Sequence, residues 1–172
     1  MMFSFAILTV LACAITIHAA AIQPRASSYS GEYGGGGGKR FSHSGNQLDG
    51  PITALRIRVN RWYIVGLQVR YGKEWSNYVG GNSGDLEEIF LHPGESFIQV
   101  SGKYKTYVRK LVFVTDKGRY FPFGQDTGTS FNAAPLYPNT VLRYFSGRSG
   151  SVIDAIGFHW DNYPSNCPNC KK

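Results

Sequence analysis

The sequence predicts an all-β protein in which three sheets close around one core. Two observations carry that expectation. Apolar and polar residues alternate through most of the chain, interrupted by Gly, Asn, Asp and Pro, and no stretch of a dozen residues holds a helical period. The second is a long internal period. The strand cores Val65-Gly66-Leu67-Gln68-Val69, Arg109-Lys110-Leu111-Val112-Phe113 and Asp154-Ala155-Ile156-Gly157-Phe158 superimpose, with Leu67 and Leu111 44 residues apart and Leu111 and Ile156 45 apart. Tyr33, Tyr78 and Phe123 mark the same spacing, each 45 residues from the next and each followed within two positions by Gly. Three repeats of about four strands are implied. Such a period also fits propeller blades or stacked repeats, but with only three copies a closed three-sheet arrangement is the better solution.

The elements follow in order. Phe3 to Ile17 is an apolar run without charge, followed by Ala19, Ala20 and Ala21. It reads as a secretory signal peptide over residues 1–19, cleaved within 19–21. The run is too short for a membrane span of about 20 residues, and no later segment is apolar for that length. Export of a soluble protein is expected. The remainder is one domain by size, placed at residues 24–161, with a short cysteine-containing tail at 162–172. Leu55 to Val59 and Val65 to Val69 alternate with period two and read as strands joined through Asn60-Arg61-Trp62-Tyr63. His92-Pro93-Gly94-Glu95 and Asp116-Lys117-Gly118 read as turns between further strands.

Charge and reactive side chains narrow the function. The formal net charge is +7, with no dense Lys/Arg run and no Asn-x-Ser/Thr sequon. An exported basic protein meets acidic glycans before nucleic acid. Cys13 leaves with the leader, while Cys167 and Cys170 stand as Cys-Pro-Asn-Cys near the C-terminus. A structural or intermolecular disulfide is the expectation there. A redox centre would want a helix N-terminus, and zinc would want two more ligands where only His159 is near. No Ser/His/Asp order, metal cluster or carboxylate pair surrounds His43, His92 or His159, which are expected in turns or at the surface. Neither enzymatic activity nor a metal cofactor is expected.

Two segments suggest ligand chemistry. Gly34 to Gly38 is an unbroken glycine run before Lys39 and Arg40. It suits a flexible linker or a loop that lets a hydroxyl-rich ligand approach backbone N–H groups. It fits neither the phosphate-loop nor the dinucleotide pattern. Gly147-Arg148-Ser149-Gly150-Ser151-Val152-Ile153-Asp154 opens the last repeat's strand pair with small residues and one carboxylate. Asp154 is either a turn residue bonding its own backbone or an acceptor for neighbouring sugar hydroxyls, which donate and accept at once.

A glycine-rich first loop together with Gly150-x-x-x-Asp154 running into Ala155-Ile156-Gly157 resembles the jacalin-related lectins over nearly all of the mature chain. Tyr29 to Tyr33, Lys39 to Asn46 and Gly84 to Glu95 are similar to animal secretory-granule members of that family. The resemblance implies a β-prism of three Greek-key four-stranded sheets related by pseudo-threefold symmetry. It implies metal-free recognition of mannose-type glycans, with Asp154 as hydroxyl acceptor, backbone groups of Gly34, Ser151 and Val152 as partners, and Lys105 and Tyr107 as a rim. It further implies sulfated glycosaminoglycans as partners and a place in secretory granules, matrix or mucus, with glycans as the only tie to a membrane. A basic patch of Lys39, Arg40, Arg56, Arg58, Lys103 and Lys105 is then expected beside the sugar site, with Lys39, Arg40, Lys103 and Lys105 in its two loops. Asn82 and Gln125 lie where similar lectins carry further basic residues, which weakens the patch. Arg109 and Val65 occupy the positions of Asp154 in the other two repeats, so one carboxylate site per chain is expected.

Overall fold

The computed structural model describes residues 25–164. The expected leader and Cys167 and Cys170 lie outside the described residues. Thirteen strands follow in order: β1 Ser28–Gly34, β2 Lys39–Ser42, β3 Ile52–Val59, β4 Ile64–Tyr71, β5 Glu74–Trp75, β6 Val79–Gly80, β7 Asp85–Phe90, β8 Phe97–Tyr104, β9 Val108–Thr115, β10 Tyr120–Gly124, β11 Thr129–Ala133, β12 Thr140–Ser149 and β13 Ile153–Asn162. One turn of 3-10 helix, Asn46–Asp49, joins β2 to β3.

Three antiparallel sheets result, with orders β1-β13-β12-β2, β5-β4-β3-β7 and β10-β9-β8-β11, and β6 beside β5 along the edge of β4. Each has a hairpin in its middle (β12–β13, β3–β4, β8–β9) and outer strands whose connection crosses the end of that hairpin. This is the Greek-key arrangement. The edge strands meet the central ones at Gly34 opposite Ala155, Gly80 opposite Gly66 and Gly124 opposite Lys110. Those pairings confirm the pseudo-threefold repeat and correct one of its marks. The residue equivalent to Tyr33 and Phe123 is Val79, not Tyr78, because β5 and β6 share the edge that a single strand occupies elsewhere. Tyr78 packs beneath Gly66 and donates its hydroxyl to the Gly81 carbonyl.

The inner faces form one apolar core. Leu67, Leu111 and Ile156, and two residues on Val69, Phe113 and Phe158, are fully buried at equivalent positions. Phe113 lies 5.1 Å from Phe97 and 6.2 Å from Phe145, centre to centre, while Tyr33 stacks on Phe131 at 4.2 Å. Burying such rings supplies roughly 25 cal/mol per Å² of apolar surface. His43 departs from its expected turn or surface setting. It is buried at 4% exposure, with Nδ1 3.0 Å from the Tyr71 hydroxyl. Ser42 and Ser44 make its neighbourhood look polar in sequence, but Tyr71 in another sheet closes over it.

Each central hairpin is bulged beside its loop. Arg148 pairs with Ala155 and Ser149 with Ile153, leaving Asp154 as the extra residue. In the same way, Arg58 and Val59 pair with Gly66 and Ile64 around Val65, and Lys103 and Tyr104 pair with Lys110 and Val108 around Arg109. A bulge takes one residue out of the pleat and re-aims its side chain. Three equivalent side chains, Asp154, Val65 and Arg109, are therefore turned at the same end of the molecule.

Candidate sugar-binding site

Asp154 sits where the loop between β1 and β2 crosses the β12–β13 hairpin. The Gly35 N–H donates to its carbonyl at 3.0 Å, and Gly34 carries φ of +138° so that the chain can turn there. A Cβ on Gly34 would lie 2.6 Å from the Ala155 Cα, so only glycine fits. Gly37 and Gly38 cover the carboxylate; a Cβ on Gly37 would stand 2.6 Å from Oδ1. The glycine run is thus a lid of backbone over one acidic side chain. Asp154 is 5% exposed, and among the described residues no donor is paired with its carboxylate. A carboxylate so placed has acceptor capacity left for a ligand's hydroxyls.

The hairpin loop supplies the other wall. Gly150 donates its N–H to the Val152 carbonyl at 2.9 Å, which tightens residues 150–152 into a turn beside Asp154. Ser151 is exposed, whereas Val152 is buried at 8% and anchors the turn. Lys105 and Tyr107 lie in the β8–β9 loop, closed by the Lys105 N–H donating to the Tyr107 carbonyl at 3.1 Å. The carbonyl of Thr106, between them, is packed against Gly35, so this loop abuts the glycine lid. The Tyr107 ring meets Tyr63 edge-on at 5.1 Å.

The basic residues are distributed over three sheets. Lys39, Arg40 and Lys103 lie in strands rather than in loops: Lys39 and Arg40 in β2 opposite Ser149 and Arg148, and Lys103 in β8. Arg56 and Arg58 lie in β3. Several are occupied. Arg56 pairs with Glu88 at 2.5 Å and covers the Trp75 ring at 4.0 Å, Lys103 lies 3.4 Å from Asp126, and Arg40 lies 3.8 Å from Glu32. Arg58 donates to the Gly84 carbonyl at 2.8 Å. Arg148, its counterpart, reaches the Gly38 carbonyl at 3.5 Å. Sequence reasoning missed this positioning use of Arg148, whose only signal was its place across the hairpin from Ala155.

Three Greek-key sheets closed around one core, with a backbone-lidded carboxylate at one end, form a β-prism. The family model for the jacalin-like lectin domain matches residues 30–159, and the chain belongs to that family. It is a carbohydrate-binding lectin and not an enzyme. Zymogen granule membrane protein 16 of Homo sapiens is 82% identical over 150 residues, covering 87% of this chain and 90% of that protein. Among solved structures, a prostate-specific WGA16 glycoprotein lectin is 34% identical with a TM-score of 0.70, covering 80% of this chain and all of that one. AcmJRL, a mannose-binding jacalin-related lectin from Ananas comosus, is 29% identical with a TM-score of 0.68, covering 80% and 99%.

Proposed function

We propose that the chain is an exported lectin that binds mannose-type sugars at Asp154. The observation that carries this reading is the Asp154 carboxylate, left without a donor among the described residues beneath Gly37 and Gly38. Its oxygens accept two neighbouring hydroxyls, while backbone groups of Gly34, Ser151 and Val152 complete the ring's contacts and Lys105 and Tyr107 touch the next sugar. The Ananas lectin, described as mannose-binding, supports the choice of sugar. One such site gives weak affinity, millimolar to micromolar, or roughly 4 to 8 kcal/mol. Retention in a granule or mucus matrix then comes from multivalent glycan, and the granule setting is supported by the name of the Homo sapiens relative. Titration of methyl α-mannoside tests the reading. Asp154→Asn removes the charged acceptor and should abolish binding with the fold intact; binding equal to wild type overturns it.

A second reading, polyanion binding, is favoured by the +7 charge. Lys39, Arg40, Lys103 and Lys105, with Arg56 and Arg58, contribute to attraction of sulfated glycosaminoglycan. The partners of Arg56, Arg58 and Lys103 reduce their share. Heparin retention that falls with salt and with Arg56→Ala plus Arg58→Ala supports this reading, and salt-independent retention counts against it.

A further inference from the structure

The fold builds the sugar cradle three times and places a different side chain on each bulge. Val65 fills one and is fully buried. Arg109 fills another, with the loop between β10 and β11, Gly124 to Gly128, in the role of the glycine lid and residues 105–107 in the role of 150–152. The correspondence holds atom by atom. The Gln125 N–H donates to the Arg109 carbonyl at 2.8 Å, as Gly35 does to Asp154 at 3.0 Å. Gly128 packs on the Tyr104 carbonyl as Gly38 packs on that of Ser149. Thr127 is the counterpart of Gly37, and where Gly37 faces the Asp154 carboxylate, the Thr127 hydroxyl accepts from Arg109 Nη1 at 3.1 Å.

The electrostatics of this cradle are the reverse of the first. Among the described residues, Arg109 has no carboxylate partner, and its Nε is sealed without an acceptor. Its guanidinium is held over the Tyr63 ring at 5.4 Å, which fixes the fork without neutralising it. Lys105 opens the adjoining loop and makes no ion pair among the described residues. The one carboxylate of the lid, Asp126, is taken by Lys103 at 3.4 Å and Lys110 at 3.2 Å. Lys103 and Lys110 thus share one carboxylate, while Arg109 on the bulge and Lys105 in the loop have no anionic partner among the described residues. A planar guanidinium with free N–H groups recognises an oxyanion.

We propose that the Arg109 cradle is a second ligand site, which binds an oxyanion carried by a glycan, either a sulfate ester or a uronate carboxylate. That the oxyanion is glycan-borne rests on the lectin reading of the Asp154 site; the cradle's charge does not. Thr106 packs against Gly35, so one loop forms part of both cradles' surroundings and a single acidic glycan can meet the carboxylate cradle with a neutral residue and the guanidinium cradle with an anionic one.

The test titrates the full chain at low ionic strength with methyl α-mannoside, methyl β-glucuronide and N-acetylglucosamine 6-sulfate, each alone, for wild type, Arg109→Gln, Arg109→Lys and Asp154→Asn. Wild type should bind at least one anionic sugar, and which one identifies the source of the oxyanion. Arg109→Gln should weaken that binding roughly tenfold while leaving methyl α-mannoside unchanged, and Asp154→Asn should do the reverse. Arg109→Lys keeps the charge but loses the fork and should fall several-fold; it serves if the glutamine variant does not fold. Anionic-sugar binding equal to wild type in both Arg109 variants, or none in wild type, overturns the proposal. Loss of mannoside binding alone would instead strike the Asp154 reading.

Discussion

Gly34→Ala tests whether the lid of the Asp154 cradle is imposed by backbone geometry. Gly34 has φ of +138°, a conformation that costs a residue with a side chain about 1–3 kcal/mol. The new Cβ would also lie 2.6 Å from the Ala155 Cα and overlap the Asp154 carbonyl, both backbone of a central strand that cannot retreat without disturbing β13. Such overpacking adds about 1–3 kcal/mol, and the loss of unfolded-state entropy on replacing glycine returns about 0.4–1 kcal/mol. The net expectation is a loss of about 1–5 kcal/mol, with a lower mannoside affinity. Gly36→Ala is the control, because nothing lies within 4 Å of its Cβ and its φ is unremarkable; it should stay within about 0.5 kcal/mol of wild type. Gly80→Ala and Gly124→Ala share both features, φ of +101° and +83° and overlap with the Val65 and Arg109 carbonyls, so they should match Gly34→Ala in stability but not in mannoside affinity. Urea unfolding followed by tryptophan fluorescence measures the stabilities. A Gly34→Ala protein as stable as Gly36→Ala refutes the steric account, and neutral Gly80→Ala and Gly124→Ala refute the equivalence of the three lids.

Two further predictions concern buried polar groups. Glu95 is 3% exposed and accepts from Thr115 at 2.6 Å, the His92 N–H at 2.7 Å and Arg119 at 2.7 Å. Burial alone would raise its pKa, but these bonds together hold it below the usual 4.5. That stability is present above the unfolded value and lost as pH falls, so Arg119→Ala should cost about 2–4 kcal/mol in urea unfolding at pH 7 and clearly less at pH 3; an equal cost at both would contradict the assignment. His43 is held neutral by burial, its pKa lowered from 6.5 to about 4, and protonation would leave charge beside an unpaired Nε2. Its contribution is complete above pH 6.5 and declines as the unfolded chain takes up the proton, by on the order of 1–3 kcal/mol at pH 4. Burial lowers His159 in the same direction. A His43 ring that titrates near 6.5 by NMR would sink this prediction.

The hairpins were legible because each repeats an inward row, Leu67, Leu111 and Ile156, at a spacing that chance does not favour. The edge strands were less so. In the first repeat the edge is split into β5 and β6, and the mark slipped by one residue onto Tyr78. The glycine lid and Asp154 were readable as types and spacing, but the bulge was not. Period two counted back from Ile156 puts Asp154 in phase with the core, and only its pairing across to Arg148 and Ser149 shows that it leaves the pleat. For the same reason the sequence aligned Arg109 with Asp154 without showing that Thr127 receives it. The burial of His43 depends on Tyr71, 28 positions away, and has no local signal.

The sheet that carries Asp154 is stitched from the two ends of the chain. β3 to β7 and β8 to β11 are contiguous in sequence, so each of those sheets can pair as soon as its own segment has left the ribosome. β1 and β2 cannot: their partners are β13 and β12, and 120 residues separate Gly34 from Asp154. A nascent chain carries its glycine lid unpaired through most of synthesis, and pairing across so long a loop is slow. On the proposed reading, sugar recognition at Asp154 is the last property this protein acquires, and a chain that lost β13 would keep two finished sheets and lack Asp154.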